Sequence, residues 1–264
     1  MDLGYFEIGL PVKDIKASMA FYEALGFARA DYAEDAGDAT MIRGDCRIGL
    51  YQGHLNPDRA QLIFWQGPVE AVMAEAERRG LSLLTPLRTD AEGGAAVMLE
   101  DADGHPLFFI RMTTFHPQHP RHTQVAPVER PPALAVDPTL GWFEASLPVG
   151  DMARAEAFYA ALGFAVVVRE VKGTRVSLQN ADCRVGLFQG HLDPDQAQLI
   201  FWQGDIAAMA DRVRRAGLDF FSGPNGGGDH ASFMLRDPDG HPLFFIRMPG
   251  VTRESSDSDD VHAA

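Results

Sequence analysis

The sequence predicts an α+β chain of four βαβββ modules, arranged as two tandem domains of two modules each. Three observations carry that prediction. The block DCRIGLYQGHLNPDRAQLIFWQG at Asp45–Gly67 returns, with few changes, at Asp182–Gly204. The offset of 137 positions that relates Cys46 to Cys183 holds without a gap from Phe6/Phe143 to Gly80/Gly217. One residue is then lost, and the register resumes as DADGHPLFFIRM at Asp101 and DPDGHPLFFIRM at Asp237; a period of this length marks a duplicated structural unit. Second, each copy opens with a strand pattern followed by a helical stripe. Third, the same order of strand and helix recurs, more weakly, in the second half of each copy.

The elements follow in order. Phe6, Ile8, Leu10 and Val12 are apolar, whereas Glu7, Gly9 and Pro11 between them are not. That period of two is a strand with one face on a helix. Asp14 then stands as an N-cap, Ile15, Met19, Tyr22 and Leu25 form a helical stripe, and Gly26 closes the helix. Short strands are expected at 27–32, 39–43 and 47–52, joined by Asp/Gly-rich turns. A further strand at 61–66 leads to a helix over 68–79, opened by Pro68 in its first turn. Strands at 81–87, 95–100 and 107–112 complete the set, giving eight strands and two helices per copy. The Gly-rich segments at 90–95 and 223–229 lack the Lys-Ser/Thr and the helix start of a phosphate loop. They are read as mobile loops before the seventh strand of each copy.

The repeats give domains at 4–112 and 141–248. Between them, 113–140 is Pro-rich and aperiodic, an extended linker. Its His116, His119 and His122 form an HxxHxxH run, but the neighbouring prolines prevent a helix that would align the rings. The tail at 249–264 is small, polar and acidic, and disorder is expected there.

Composition narrows the function classes. Hydrophobic residues make up 46% and charged residues 23%, a globular balance. No apolar run reaches the roughly 20 residues that span a bilayer, and the N-terminus has no signal-like pattern. A net charge of −14 repels a phosphate backbone, so neither nucleic acid nor membrane is an expected partner. Cys46 and Cys183, at equivalent places, read as two separate buried thiols of a reducing compartment. A cytoplasmic location is expected.

The stretches EIGLPVKDIKASMAFYEALGF and EASLPVGDMARAEAFYAALGF, with DxDGHPLFF near the end of each copy, resemble the vicinal oxygen chelate superfamily of glyoxalases, bleomycin-resistance proteins and extradiol dioxygenases. The resemblance covers both copies and implies two glyoxalase-like domains, each with a curved mixed sheet whose helix-free face forms a cup. In metal-dependent members the ligands come from the first, fifth and last strands. Transferred onto this sequence, those positions are Glu7 and Glu144, Gln61 and Gln198, and Phe108 and Phe244. Phenylalanine cannot ligate, and catalytic divalent sites generally present at least three protein ligands. No metal and no other cofactor is therefore expected; the alternative is a divalent ion such as Zn, Ni, Mn or Fe.

Each candidate has a bland reading beside the functional one. Glu7 and Glu144 are candidate general bases in the cup, or carboxylates satisfied by strand neighbours such as Gln61 or Arg47. Gln61, Trp65 and Phe108, with Gln198, Trp202 and Phe244, are candidate ligand-binding residues; the tryptophans could instead sit between domains, and the phenylalanines could plug the cup. Arg47 and Arg184 are candidate anion receptors or partners of the glutamates. His54 and His191 belong to the rim, and His105 and His241 to a turn that tolerates positive φ. The functional expectation is metal-independent binding of a small molecule, aromatic ones included, in an apolar cup. The alternative is a lyase, isomerase or dioxygenase using a divalent metal or a Glu general base. A monomer with an internal pseudo-dimer and a homodimer are both compatible with the tandem arrangement.

Overall fold

In the computed structural model, which describes residues 1–33, 37–112, 132–170 and 172–253, the first copy runs β1 (Tyr5–Val12), α1 (Ile15–Ala24), β2 (Ala28–Ala33), β3 (Asp38–Arg43) and β4 (Cys46–Gln52). It continues with β5 (Gln61–Trp65), α2 (Val69–Arg79), β6 (Ser82–Thr89), β7 (Ala95–Glu100) and β8 (Pro106–Arg111). The second copy repeats the series as β9 (Gly141–Pro148), α3 (Met152–Ala161), β10 (Ala165–Arg169), β11 (Arg175–Asn180) and β12 (Cys183–Phe188). It ends with β13 (Gln198–Gln203), α4 (Ile206–Arg215), β14 (Ser222–Gly227), β15 (His230–Arg236) and β16 (Pro242–Arg247).

Each copy forms one eight-stranded mixed sheet, in the orders β2-β3-β4-β1-β5-β8-β7-β6 and β10-β11-β12-β9-β13-β16-β15-β14. The two modules of a copy therefore meet where their first strands pair antiparallel, with Glu7 opposite Ile63 and Glu144 opposite Ile200. Within a module the first strand also pairs parallel with the last, as in Ile8 opposite Ile48 and Leu62 opposite Leu107. Gly4 and Gly141 make this junction possible: their φ values are +99 and +86, and a Cβ there would strike the carbonyl oxygens of Trp65 and Trp202.

Alternation along the strands separates two faces. Phe6, Ile8, Leu10, Leu62, Phe64, Leu107 and Phe109 are buried on the face that carries the helices. Their equivalents in the second copy join them in one continuous core shared by both halves. The helices are stopped and started as the sequence predicts. Asp14 accepts from the backbone N–H of Lys16 and Ala17, Asp151 from Arg154, and Asp205 from Ala208. Pro68 occupies the N-cap position of α2, one residue ahead of its first turn.

The two halves are stitched by reciprocal contacts. Tyr22 donates to Asp237 Oδ2 and Tyr159 to Asp101 Oδ2, each at 3.0 Å. The backbone N–H of Phe6 donates to Asp182 and that of Phe143 to Asp45. Phe27 meets Phe201, and Phe64 meets Phe164, edge to face.

Three local expectations are corrected. The Gly-rich run read as a loop at 223–229 largely forms β14, paired with β15 and fully exposed. As the outermost strand it needs only one hydrogen-bonding neighbour, so backbone pairing suffices without apolar side chains. His105 and His241 do not take up the positive φ of their turns, which Gly104 and Gly240 adopt at 87° and 94°. The ring of His105 instead reaches the carbonyl of Pro148 in the other half, and that of His241 bonds Asp237. Finally, residues 249–253 of the tail are part of the packed structure. Val251 sits against the cluster of Trp142, Phe188, Ile200 and Trp202, and Arg253 bonds Asp45. The HxxHxxH run lies outside the described residues.

Candidate functional site

The strand face opposite the core is the cup of each domain, and one glutamate stands at the centre of each. Glu7 is 3% exposed and Glu144 is 0% exposed. Room for each carboxylate comes from a neighbouring strand: a Cβ on Gly49 or Gly186 would collide with Oε1 of Glu7 or Glu144.

The two glutamates are satisfied differently. Glu7 Oε1 accepts from Tyr51 Oη at 2.6 Å and from Trp65 Nε1 at 3.2 Å, while Oε2 accepts from Thr40 Oγ1 at 3.2 Å. Burial pushes the Glu7 carboxyl above the usual glutamate range, and the hydrogen bonds and Arg47 only partly oppose it. Glu144 Oε1 accepts from Trp202 Nε1 at 3.1 Å and Oε2 accepts from Ser177 Oγ. Arg175 Nη2 approaches both of its oxygens, at 3.4 and 3.5 Å. Asp38 holds the place of Arg175 in the first copy, and Phe188 replaces Tyr51 in the second. One half thus surrounds its carboxyl with neutral donors, and the other adds a guanidinium.

Gln61 and Gln198 lie on the cup face, buried, with their amides against the sulfurs of Met98 (3.4 Å) and Met234 (3.9 Å). Trp65 and Trp202 share that face and use their indole N–H groups to hold the glutamates. Phe108 pairs across the sheet with Ile63 and Met98.

Arg47 and Arg184 do not hydrogen-bond the glutamate of their own half, although each acts on it through its charge. Arg47 stacks over Tyr5 at 4.7 Å, and its Nε is buried without a partner among the described residues. Arg184 donates to Gln179 at 3.0 Å and to the carbonyl of Arg253. Burial pulls its guanidinium below the usual arginine range. Cys46 and Cys183 are buried free thiols, and burial raises both well above the ordinary thiol value.

A cavity of about 720 Å³ opens in the cup of the second domain, within the size range of small-molecule pockets. Trp202, Phe188, Ile200, Phe244, Leu192 and Ile246 give it apolar walls. Arg175 enters from β11, Gln198 from β13 and His191 from the loop before it, while Gly250, Val251 and Thr252 close one side. Phe244 therefore lines an open cup rather than plugging it. Glu144 lies beneath this lining, and Arg175 and Trp202 stand between it and the cavity.

The residues present do not fit a divalent metal at the superfamily's ligand positions. Both oxygens of each glutamate already accept hydrogen bonds, and in the second domain a guanidinium occupies the space where a cation would sit. Phe108 and Phe244 supply no donor. Among the described residues no cluster of three or more His, Cys, Asp or Glu side chains is placed to hold a metal ion. No helix among them is long and apolar enough to cross a membrane.

Comparison with known proteins agrees with this architecture. The profile of the glyoxalase/bleomycin resistance protein/dioxygenase superfamily matches residues 4–109 and 139–245, and the chain belongs to that superfamily. No curated protein matches. Among solved structures, a variant of homoprotocatechuate 2,3-dioxygenase from B. fuscum superposes with a TM-score of 0.61 at 19% identity, covering 98% of this chain and 74% of its own. A catechol 2,3-dioxygenase gives 0.57 at 18% identity, covering 96% and 90%. The Mn(II)-bound glyoxalase from Novosphingobium aromaticivorans gives 0.58 at 19%, covering 91% and 80%. At these identities the likeness is one of fold.

Tyr51, Thr40, Arg175 and Ser177 are the site residues that sequence reasoning missed. A signal for one of them lies in the repeat itself. Where the copies are aligned, Tyr51/Phe188 is a change within a near-identical block, whereas Asp38/Arg175 lies in a strand, 38–43 against 175–180, where every residue differs.

Proposed function

We propose that the chain receives a small, flat organic molecule in the cup of its second domain, with no metal at the superfamily's ligand positions. The observation that carries this is the apolar cavity of about 720 Å³, with Phe244 where a metal ligand would stand and Arg175 in its wall. Apolar walls with a few convergent polar groups are the usual composition of a ligand pocket.

Catalysis at the cups is a second reading, and the comparisons favour it over binding alone. Solved structures similar in fold include dioxygenases and a glyoxalase, which supports a lyase, isomerase or dioxygenase of the same superfamily. The donor set weighs against the metal-dependent form of that reading. Its metal-free form has a candidate general base in Glu7, whose carboxyl is held above the usual glutamate range by burial. Glu144, shielded by Arg175 and Trp202, is better placed to position those two side chains than to take a proton from a bound molecule.

Metal analysis of the purified protein and fluorescence titration in EDTA test both readings. The expected result is substoichiometric Zn, Ni, Mn and Fe, with quenching by small aromatics that EDTA leaves intact. A stoichiometric metal that Glu7→Ala or Glu144→Ala removes would overturn the metal-free assignment. Turnover of any substrate that Glu7→Gln abolishes without weakening binding would establish the enzyme reading over simple binding.

A further inference from the structure

We infer that the cup of the second domain selects a planar carboxylic acid, its carboxylate against Arg175, and that the first domain's cup does not. This deepens the small-molecule reading above and rests on it. Arg175 enters a cavity whose other walls are mostly apolar or aromatic. Its guanidinium lies 4.0 Å from the Trp202 ring centroid and 5.6 Å from that of Phe188, so two aromatic faces fix its plane. Its side chain is 11% exposed.

The hydrogen bonds of Arg175 leave it unfinished. Nη2 donates to Ser177 at 3.0 Å and reaches the Glu144 oxygens only at 3.4 and 3.5 Å. Each of those oxygens has a nearer donor, Ser177 or Trp202. Nε is buried with no partner among the described residues. A buried N–H without an acceptor costs roughly 1–3 kcal/mol, and a carboxylate oxygen is the acceptor that guanidinium geometry matches best. The other charged groups of the lining leave Arg175 as the receptor. Arg169 is tied to Glu156, and Glu170 accepts from Thr174. A planar apolar body behind the carboxylate would cover Trp202, Phe188 and Phe244.

The first domain differs at the position of this guanidinium. Asp38 replaces Arg175, and Tyr51 directs a hydroxyl to Glu7 where Phe188 has none. A carboxylate entering that cup would meet Asp38 at the place of Arg175, while Arg47 of that half is stacked over Tyr5. Among the positions that differ on this face, 38/175 exchanges an acid for a guanidinium and 51/188 removes a hydroxyl, and these two set what each cup accepts.

Benzoate and benzamide have the same shape and differ in charge, and calorimetric titration of the intact chain with each tests the inference. Benzoate is expected to bind at one site per chain, at least 10-fold more tightly than benzamide. Arg175→Met should bring benzoate down to the benzamide level and leave benzamide within about two-fold. Equal affinity of the two compounds for the unmodified protein, or two benzoate sites per chain, would overturn the acid selectivity while leaving the cup as a small-molecule site. Benzoate affinity unchanged in Arg175→Met would do the same. If neither compound binds or quenches tryptophan fluorescence up to about 10 mM, the small-molecule reading falls with it. The wild-type comparison stands even if the variant fails to fold.

Discussion

At the residue scale, the buried carboxyl of Glu7 is held by neutral donors. Glu7 has its pKa raised chiefly by burial, so the folded state holds its proton more tightly than the unfolded chain does. Its contribution to stability is therefore fully present below the ordinary glutamate value and is lost as pH rises through the folded value. Glu7→Gln keeps an acceptor for Tyr51 and Trp65 and can donate to Thr40, but it cannot ionise. Relative to the unmodified protein, this variant should gain stability as pH is raised from about 4 to about 8, read by urea unfolding at each pH. A difference that is flat or falls with pH would show that Glu7 is ionised in the fold throughout. The position of Glu7 is legible in the period-two pattern of its strand, and its copy at Glu144 in the repeat. Its donors are not, because Thr40 and Tyr51 reach it from β3 and β4, and the sheet order that brings those strands alongside is a tertiary fact.

At the scale of elements, the strand that ends in Trp202-Gln203 anchors the segment over the cup. Gln203 adopts φ +61, as Gln66 does in the first copy. A left-handed backbone costs a non-glycine residue about 1–2 kcal/mol, and the side chain offsets it by clamping the chain beyond the last strand. Gln203 Nε2 donates to the carbonyls of Met248 and Val251 at 2.6 Å, and Oε1 accepts from Met248 N at 3.0 Å. Gln66 holds Met112 in the same way, at 2.9 and 2.8 Å. Gln203→Ala should lower hydrogen-exchange protection of the Met248 amide by roughly 10-fold, the loss of one to two hydrogen bonds worth about 1 kcal/mol each. Gln66→Ala should leave that amide unaffected. Unchanged protection in Gln203→Ala would mean that other packing holds the segment. The strands and helices themselves were readable to within a residue or two. The exception is β14, whose Gly-rich sequence carries no strand signal because an exposed edge strand has no apolar face to bury.

At the scale of the whole molecule, the halves share one core and exchange buried tyrosine–aspartate bonds, but the two bonds are not equivalent. Asp237 Oδ2 accepts from Tyr22 Oη and also contacts His241 Nδ1 at 2.8 Å. Among the described residues, Asp101 Oδ2 accepts only from Tyr159, while Oδ1 is used by the amides of Asp103 and His105. Tyr159→Phe strands a buried carboxylate oxygen, whereas Tyr22→Phe leaves its partner another donor. Tyr159→Phe should therefore destabilise the protein by roughly 1–3 kcal/mol in urea unfolding, and by about 1 kcal/mol more than Tyr22→Phe. Equal losses would mean that His241 does not compensate at Asp237. The internal pairing of the copies supports a monomer as the working unit, a proposal that a light-scattering mass of one chain would support and a mass of two would overturn.

With the place of a glutamate in each cup implied by the resemblance to the superfamily, the sequence by itself determined the duplication, the order of strands and helices and the core face of each strand. These depend on local periodicity and on comparison of the chain with itself, and neither requires knowledge of which strands are neighbours. Only the tertiary structure decided what each glutamate is bonded to, that Arg175 rather than Arg184 enters the cavity, and that part of the tail closes it. Those facts arise from side chains on β3, β4, β11 and β12 converging on β1 and β9 across pairings far apart in sequence. There, Asp38 of one copy stands at the position that Arg175 takes in the other.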